Sequence, residues 1–126
     1  MKYVNLEKIE LIRELDPGEG QQLLKSLINM YLEATPLLIL QMESESQKGA
    51  FRVLGKLAHD LKSTSANLGI QFISECGSKI EKICLDQDSV GPEDDKTIDD
   101  QIDKINEVYV QVKIELESLL NKKNNS

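Results

Sequence analysis

An all-α fold, specifically an antiparallel four-helix bundle with a short additional N-terminal helix, is predicted by three features of this 126-residue sequence. Aromatic residues are only 4% of the chain and Trp is absent, whereas hydrophobic residues reach 40%. The apolar residues are mainly Leu and Ile, and they recur at three- and four-residue steps rather than alternating, which is the helical period. Turn-forming residues at Asp16-Pro17-Gly18, Gln47-Lys48-Gly49, Gly69 and Gly91-Pro92 cut the pattern into amphipathic segments joined by short connections. Such helices bury their stripes most simply by packing antiparallel around one core. At this length one domain, residues 1–126, is expected, with 121–126 as a frayed tail.

The first segment, Leu6 to Leu15, carries Leu6, Ile9 and Ile12 at three-residue steps and stops at Asp16-Pro17-Gly18. From Glu19 to about Ser46 the apolar set Leu23, Leu27, Tyr31, Leu37, Leu38 and Met42 has helical period, interrupted by Thr35-Pro36. Either the helix kinks there, or Thr35 caps a new helix with Pro36 at its first position. Ala50 to Leu68 carries Phe51, Leu54, Leu57, Ala58, Leu61, Ser65 and Leu68 as one stripe, with Gly69 as its C-terminal cap. Ile70 to Leu85 follows with Ile73, Cys76, Ile80, Ile83 and Cys84. The polar stretch Asp86 to Lys96 reads as a loop. The last helix starts at about Pro92 or Thr97 and runs to Asn121, with Ile98, Ile102, Ile105, Tyr109, Val112, Leu116 and Leu119 inward.

Charge narrows the function classes. A net charge of −7 opposes general nucleic-acid binding and attraction to anionic membranes, because both need a basic surface. The longest unbroken apolar run, Leu37 to Leu40, is one helical turn, so no membrane span is expected, and the N-terminus lacks the apolar stretch of a signal peptide. A cytoplasmic location follows as the expectation. Cys76 and Cys84 lie eight residues apart on one helix and cannot pair with each other. With a single histidine in the chain, no metal site is expected, and the acidic run Glu93, Asp94, Asp95, Asp99 and Asp100 reads as a solvated helix start.

That single histidine, His59, is the chemical focus. At about 100° per residue, Leu54, Leu57, Leu61 and Leu68 fall within about 40° of the direction opposite it, so it faces away from the core. Its own face holds Arg52, Gly55, Lys56, Lys62, Ser63 and Ala66, all basic or small, in an acidic protein. Small neighbours admit another protein to the imidazole and basic ones neutralise phosphate oxygens. A neutral imidazole attacks through one nitrogen only when the other carries the proton, so Nδ1 needs a hydrogen-bond acceptor. With the turn near Gly69-Ile70, His59 stands ten residues before Gly69 and Glu81 twelve after it, at similar height on antiparallel neighbours. Glu81 is therefore the candidate acceptor.

The run Leu57-Ala58-His59-Asp60-Leu61-Lys62-Ser63-Thr64-Ser65-Ala66-Asn67-Leu68-Gly69, followed by Ile80-Glu81, resembles the signature of histidine phosphotransfer (Hpt) domains. The pattern extends over about Leu6 to Leu85. The resemblance implies that His59 is the phosphoacceptor, reacting through Nε2 with a receiver-domain aspartyl phosphate. It further implies that Lys62 steadies the phosphoryl oxygens and Glu81 orients the imidazole. Ser63 stands where many members have Gly, which implies a modest steric cost to the approaching receiver. The implied partners are receiver domains of a hybrid histidine kinase and of a response regulator. Mg²⁺ is expected on the receiver only and no cofactor on this chain, which acts as a monomeric phosphocarrier and not as an enzyme. Met1 and the short polar tail favour a free-standing relay protein. Two alternatives share the residues: the dimerisation and phosphoacceptor domain of a sensor kinase, which usually has Pro where Thr64 stands, and a helical adaptor that binds a receiver without accepting phosphate.

Overall fold

The computed structural model describes residues 1–16, 18, 21–85 and 90–122, with five helices: α1 (Leu6–Leu15), α2 (Gln22–Lys48), α3 (Phe51–Asn67), α4 (Gln71–Leu85) and α5 (Pro92–Lys122). Helices α2 to α5 form the four-helix bundle. Each packs on its neighbour in the chain, α5 closes the ring on α2, and α1 lies against α2. One core runs through all of them, with Ile28, Leu54, Leu61, Ile73, Ile80, Ile98, Ile105 and Leu116 fully buried. Each such side chain contributes about 1.5–3 kcal/mol relative to leaving it in water.

Local chemistry sets the ends. Asn5 caps α1, its side chain accepting from the backbone N–H of Glu7 at 2.9 Å and more weakly from that of Lys8 at 3.4 Å. The Asp16 carboxylate accepts from the N–H of Leu23 in the first turn of α2. Gly69 ends α3 with φ +73°, and its bare Cα lets α1 close on the turn: a Cβ there would lie 2.9 Å from that of Lys8 and 3.0 Å from that of Asn5. The N-terminal residues then form a strap. Val4 bridges to Ile70, Asn5 N–H donates to Gly69 O, and the buried Glu115 carboxylate accepts from the N–H groups of Tyr3 and Val4.

Several expectations need correction. The helix is continuous through Pro36, so Thr35 caps no new helix there. Proline has no N–H for the carbonyl four residues back, which is Leu32. That carbonyl takes a long hydrogen bond from the Tyr109 hydroxyl of α5 instead, at 3.5 Å. The buried stripe of α2 is Leu24, Ile28, Tyr31, Thr35, Ile39, Met42 and Ser46, whereas Leu23 and Leu37 are exposed. Apolar residues stand on both sides of this helix, so periodicity alone does not choose the face. For the same reason α2 is long and apolar enough to cross a membrane by length and composition, with mean hydropathy 1.3, although no unbroken apolar run suggests it. Here it packs as a bundle helix against α3 and α5.

In α5, Val108 is buried and Tyr109 only partly so, while Val112, Leu116 and Leu119 face inward. The last helix starts at Pro92, the earlier of its two expected starts, so Pro92 to Lys96 of the expected loop are helical, with Glu93, Asp94 and Asp95 at the positive end of the helix dipole. The helix runs one residue past its expected end at Asn121, to Lys122, so the first two residues of the 121–126 tail are helical. Residues 86–89 of the expected loop and 123–126 of the expected tail lie outside the described residues. Ser65, an odd member of an apolar stripe, is buried because its hydroxyl pairs with that of Tyr31 at 2.8 Å. Burial pushes the Tyr31 phenol well above its ordinary pKa, so this pair remains neutral and bridges α2 to α3.

Candidate functional site

The antiparallel α3–α4 pair builds the site. His59 sits mid-way along α3 with Leu54, Ala58 and Leu61 buried on the opposite side, which leaves its side chain 55% exposed. Across the pair, Glu81 on α4 is only 17% exposed and places one carboxylate oxygen on each of two partners. Oε2 lies 2.6 Å from His59 Nδ1, and Oε1 lies 2.6 Å from Lys62 Nζ.

The charge state of Glu81 decides the direction of the first bond. The Lys62 ammonium, with a smaller contribution from His59, holds the Glu81 carboxyl below the usual carboxylate range against the opposing effect of burial. An ionised carboxylate only accepts, so Nδ1 carries the proton and donates it to Oε2. In the neutral imidazole this leaves Nε2 with its lone pair, free of the helix pair.

A shallow cavity of about 510 Å³ opens beside the imidazole, lined by Arg52, Gly55 and Lys56 from α3 together with Glu81 and Cys84 from α4. Its floor is inert: Cys84 is buried and its thiol is pushed up to about 11 by burial. The other two residues assigned to the histidine's face diverge from it. Ser63 turns to a separate groove of about 600 Å³ between α2 and α3, and Ala66 is exposed and lines neither. The face is also less uniformly basic than its spacing suggests, since Asp60 lines both cavities and forms the ridge between them. Leu85 completes the first cavity.

Sequence reasoning missed Asp60, Cys84 and Leu85 as lining residues, and the close seat of Gly77 on the backbone of Ala58 and Lys62. The available signal for Gly77 was a helix-weakening glycine one turn before Glu81 on the buried side of α4.

The Hpt domain model matches residues 26–122, well over half of the chain. The chain belongs to the Hpt domain family. The match begins inside α2 and continues through α5, so the Hpt pattern includes the last helix, beyond the Leu6 to Leu85 of the resemblance read in sequence, and leaves out the strap and α1. Nothing among curated proteins or solved structures matches the chain. Hpt domains serve histidine phosphotransfer in phosphorelays, act as phosphocarriers rather than catalytic domains, and interact with receiver domains.

Proposed function

We propose that this Hpt chain accepts a phosphoryl group on His59 Nε2 from the aspartyl phosphate of a receiver domain and passes it to an aspartate of another response regulator. One observation carries the reading. The Glu81 carboxylate spans His59 Nδ1 and Lys62 Nζ at 2.6 Å each, which sets the proton on Nδ1 and, in the neutral imidazole, leaves the Nε2 lone pair free to attack.

In the forward step the Nε2 lone pair forms a bond to phosphorus as the bond to the aspartyl oxygen breaks, and the receiver aspartate leaves as a carboxylate. The ring becomes positively charged on attack, and Glu81, already ionised, stabilises that charge through Nδ1–H. Lys62 has three N–H donors and spends one on Glu81, so two remain for phosphoryl oxygens. Arg52 and Lys56 add positive charge on the open side of the cavity. The receiver supplies Mg²⁺, and reversal of the same step delivers the group onward.

The α2–α3 groove adjoins the site through Asp60 and presents the exposed side chains of Met30 and Leu37, a surface suited to helping choose the receiver. Ser63 narrows the approach there relative to a glycine.

Incubation with a receiver phosphorylated on aspartate tests the reading. Label is expected on this chain as an acid-labile, base-stable phosphoramidate, and His59→Gln is expected to abolish it. Absence of label on the wild-type chain, with the receiver still bound, would instead identify a non-phosphorylated adaptor. A stable dimer by light scattering would favour a sensor-kinase phosphoacceptor domain.

A further inference from the structure

The α3–α4 pair comes unusually close at two levels, one on either side of the His59–Glu81 bond. A Cβ on Gly77 of α4 would lie 3.0 Å from the Ala58 carbonyl oxygen and 3.3 Å from the Lys62 backbone nitrogen, so Gly77 rests on the helical turn that carries His59. A Cβ on Gly55 of α3 would lie 3.0 Å from the Cβ of Cys84. These contacts are tighter than packed side chains normally tolerate, and at Gly77 the opposing atoms are backbone that no rotamer change can move. Glycine is otherwise the poorest residue of a helix interior after proline.

The register shows what the close approach serves. Gly55 stands one turn before His59, and Gly77 stands one turn before Glu81. Because the helices run antiparallel, Gly55 opposes Cys84, His59 opposes Glu81, and Gly77 opposes Lys62. Next to Gly77, Ser74 Oγ donates to the Lys62 carbonyl at 3.0 Å and fixes the same seat. A glutamate side chain of fixed length bridges two partners at 2.6 Å only while the helix spacing is held.

We infer that Gly55 and Gly77 are positioning residues, set on facing helices to hold α3 and α4 at the separation that lets Glu81 fix the His59 tautomer. The rate consequence of this inference rests on the phosphotransfer reading of the site; its tautomer consequence does not. A methyl group at either position displaces the helices by a few tenths of an ångström. That lengthens the Nδ1–Oε2 bond, releases the tautomer bias and slows attack by about three- to fivefold, no more than removal of Glu81 itself.

The test uses the full chain carrying Gly77→Ala or Gly55→Ala, each checked for helicity by circular dichroism. The His59 ring nitrogens are read by nitrogen-15 NMR, and single-turnover transfer is measured from a phosphorylated receiver. The expected result is loss of the Nδ1–H, free-Nε2 signature and the slower rate, with no further slowing when Gly77→Ala is added to Glu81→Ala. Folded glycine variants with the wild-type tautomer and rate would overturn the inference. So would equal slowing by Gly77→Ala in the presence and absence of Glu81. If Gly77→Ala does not fold, Gly55→Ala carries the same readings. If neither folds, the glycines serve the fold rather than the site, and the inference fails. A wild-type chain that takes no label refutes the phosphotransfer reading, while the tautomer measurement still judges the glycines.

Discussion

Glu81→Ala isolates what one carboxylate contributes to the nucleophile. It removes the 2.6 Å acceptor of His59 Nδ1–H and releases Lys62 Nζ from its 2.6 Å contact. A hydrogen bond to a charged group is worth about 1.5–3 kcal/mol when shielded. The imidazole here is 55% exposed, so water competes for it, and about 1 kcal/mol is the appropriate share. Since about 1.4 kcal/mol corresponds to tenfold in rate, transfer is expected to slow about fivefold. The fold is expected to survive, because Glu81 lies at the margin of the core and alanine suits a helix. Single-turnover transfer from a phosphorylated receiver, sampled by rapid quench, measures the rate, and circular dichroism checks helicity. A rate within twofold of wild type in a folded variant would refute the claim that Glu81 prepares the imidazole.

Two further predictions follow from charge. Lys62→Ala is expected to preserve helicity and slow transfer, because it removes a phosphoryl contact and the chief cause of the low Glu81 pKa. Carbon NMR titration is then expected to find the Glu81 carboxyl titrating at higher pH than in wild type, and an unmoved titration would contradict the coupling. Glu115→Ala leaves the N–H groups of Tyr3 and Val4 without their acceptor, at a cost of about 1–3 kcal/mol that urea unfolding measures. Burial opposes ionisation of Glu115, but the N–H groups of Val4 and Tyr3 and the Gln111 amide hold its folded pKa below the ordinary value. A depressed pKa stabilises the fold above the unfolded value of about 4.3 and loses that contribution as pH falls through the folded one. The stability gap between wild type and variant is therefore expected to narrow in acid, and a gap constant with pH would refute the assignment.

How far the sequence reveals the molecule depends on the range of the interaction involved. Leu6–Leu15 is legible as α1 to the residue because its period and its stop lie within a dozen positions. Gly69 is legible as the end of α3 because a left-handed cap is a local demand. His59 is legible as outward-facing because α3 has one clear apolar stripe, and the height match with Glu81 follows from counting residues on either side of a tight turn. The face of α2 is not legible, since Leu23 and Leu24, like Leu37 to Leu40, offer apolar side chains in competing directions. Only the positions of α3 and α5 select among them.

The sequence by itself thus determined the helices, the bundle and the exposed histidine, which rest on periodicity and spacing along the chain, and the family resemblance, which rests on the residues of the Leu57 to Gly69 run. The tertiary structure alone decided the rest. It attached the strap to Glu115 more than a hundred residues away, gave the Leu32 carbonyl freed by Pro36 a partner in Tyr109, and sent Ser63 to a different groove from His59. It also brought two glycines against the opposite helix on either side of the reactive pair. The physical reason is that these features depend on the rotation and separation of neighbouring helices. Those are set by the packing of the whole core, which no local window of sequence contains.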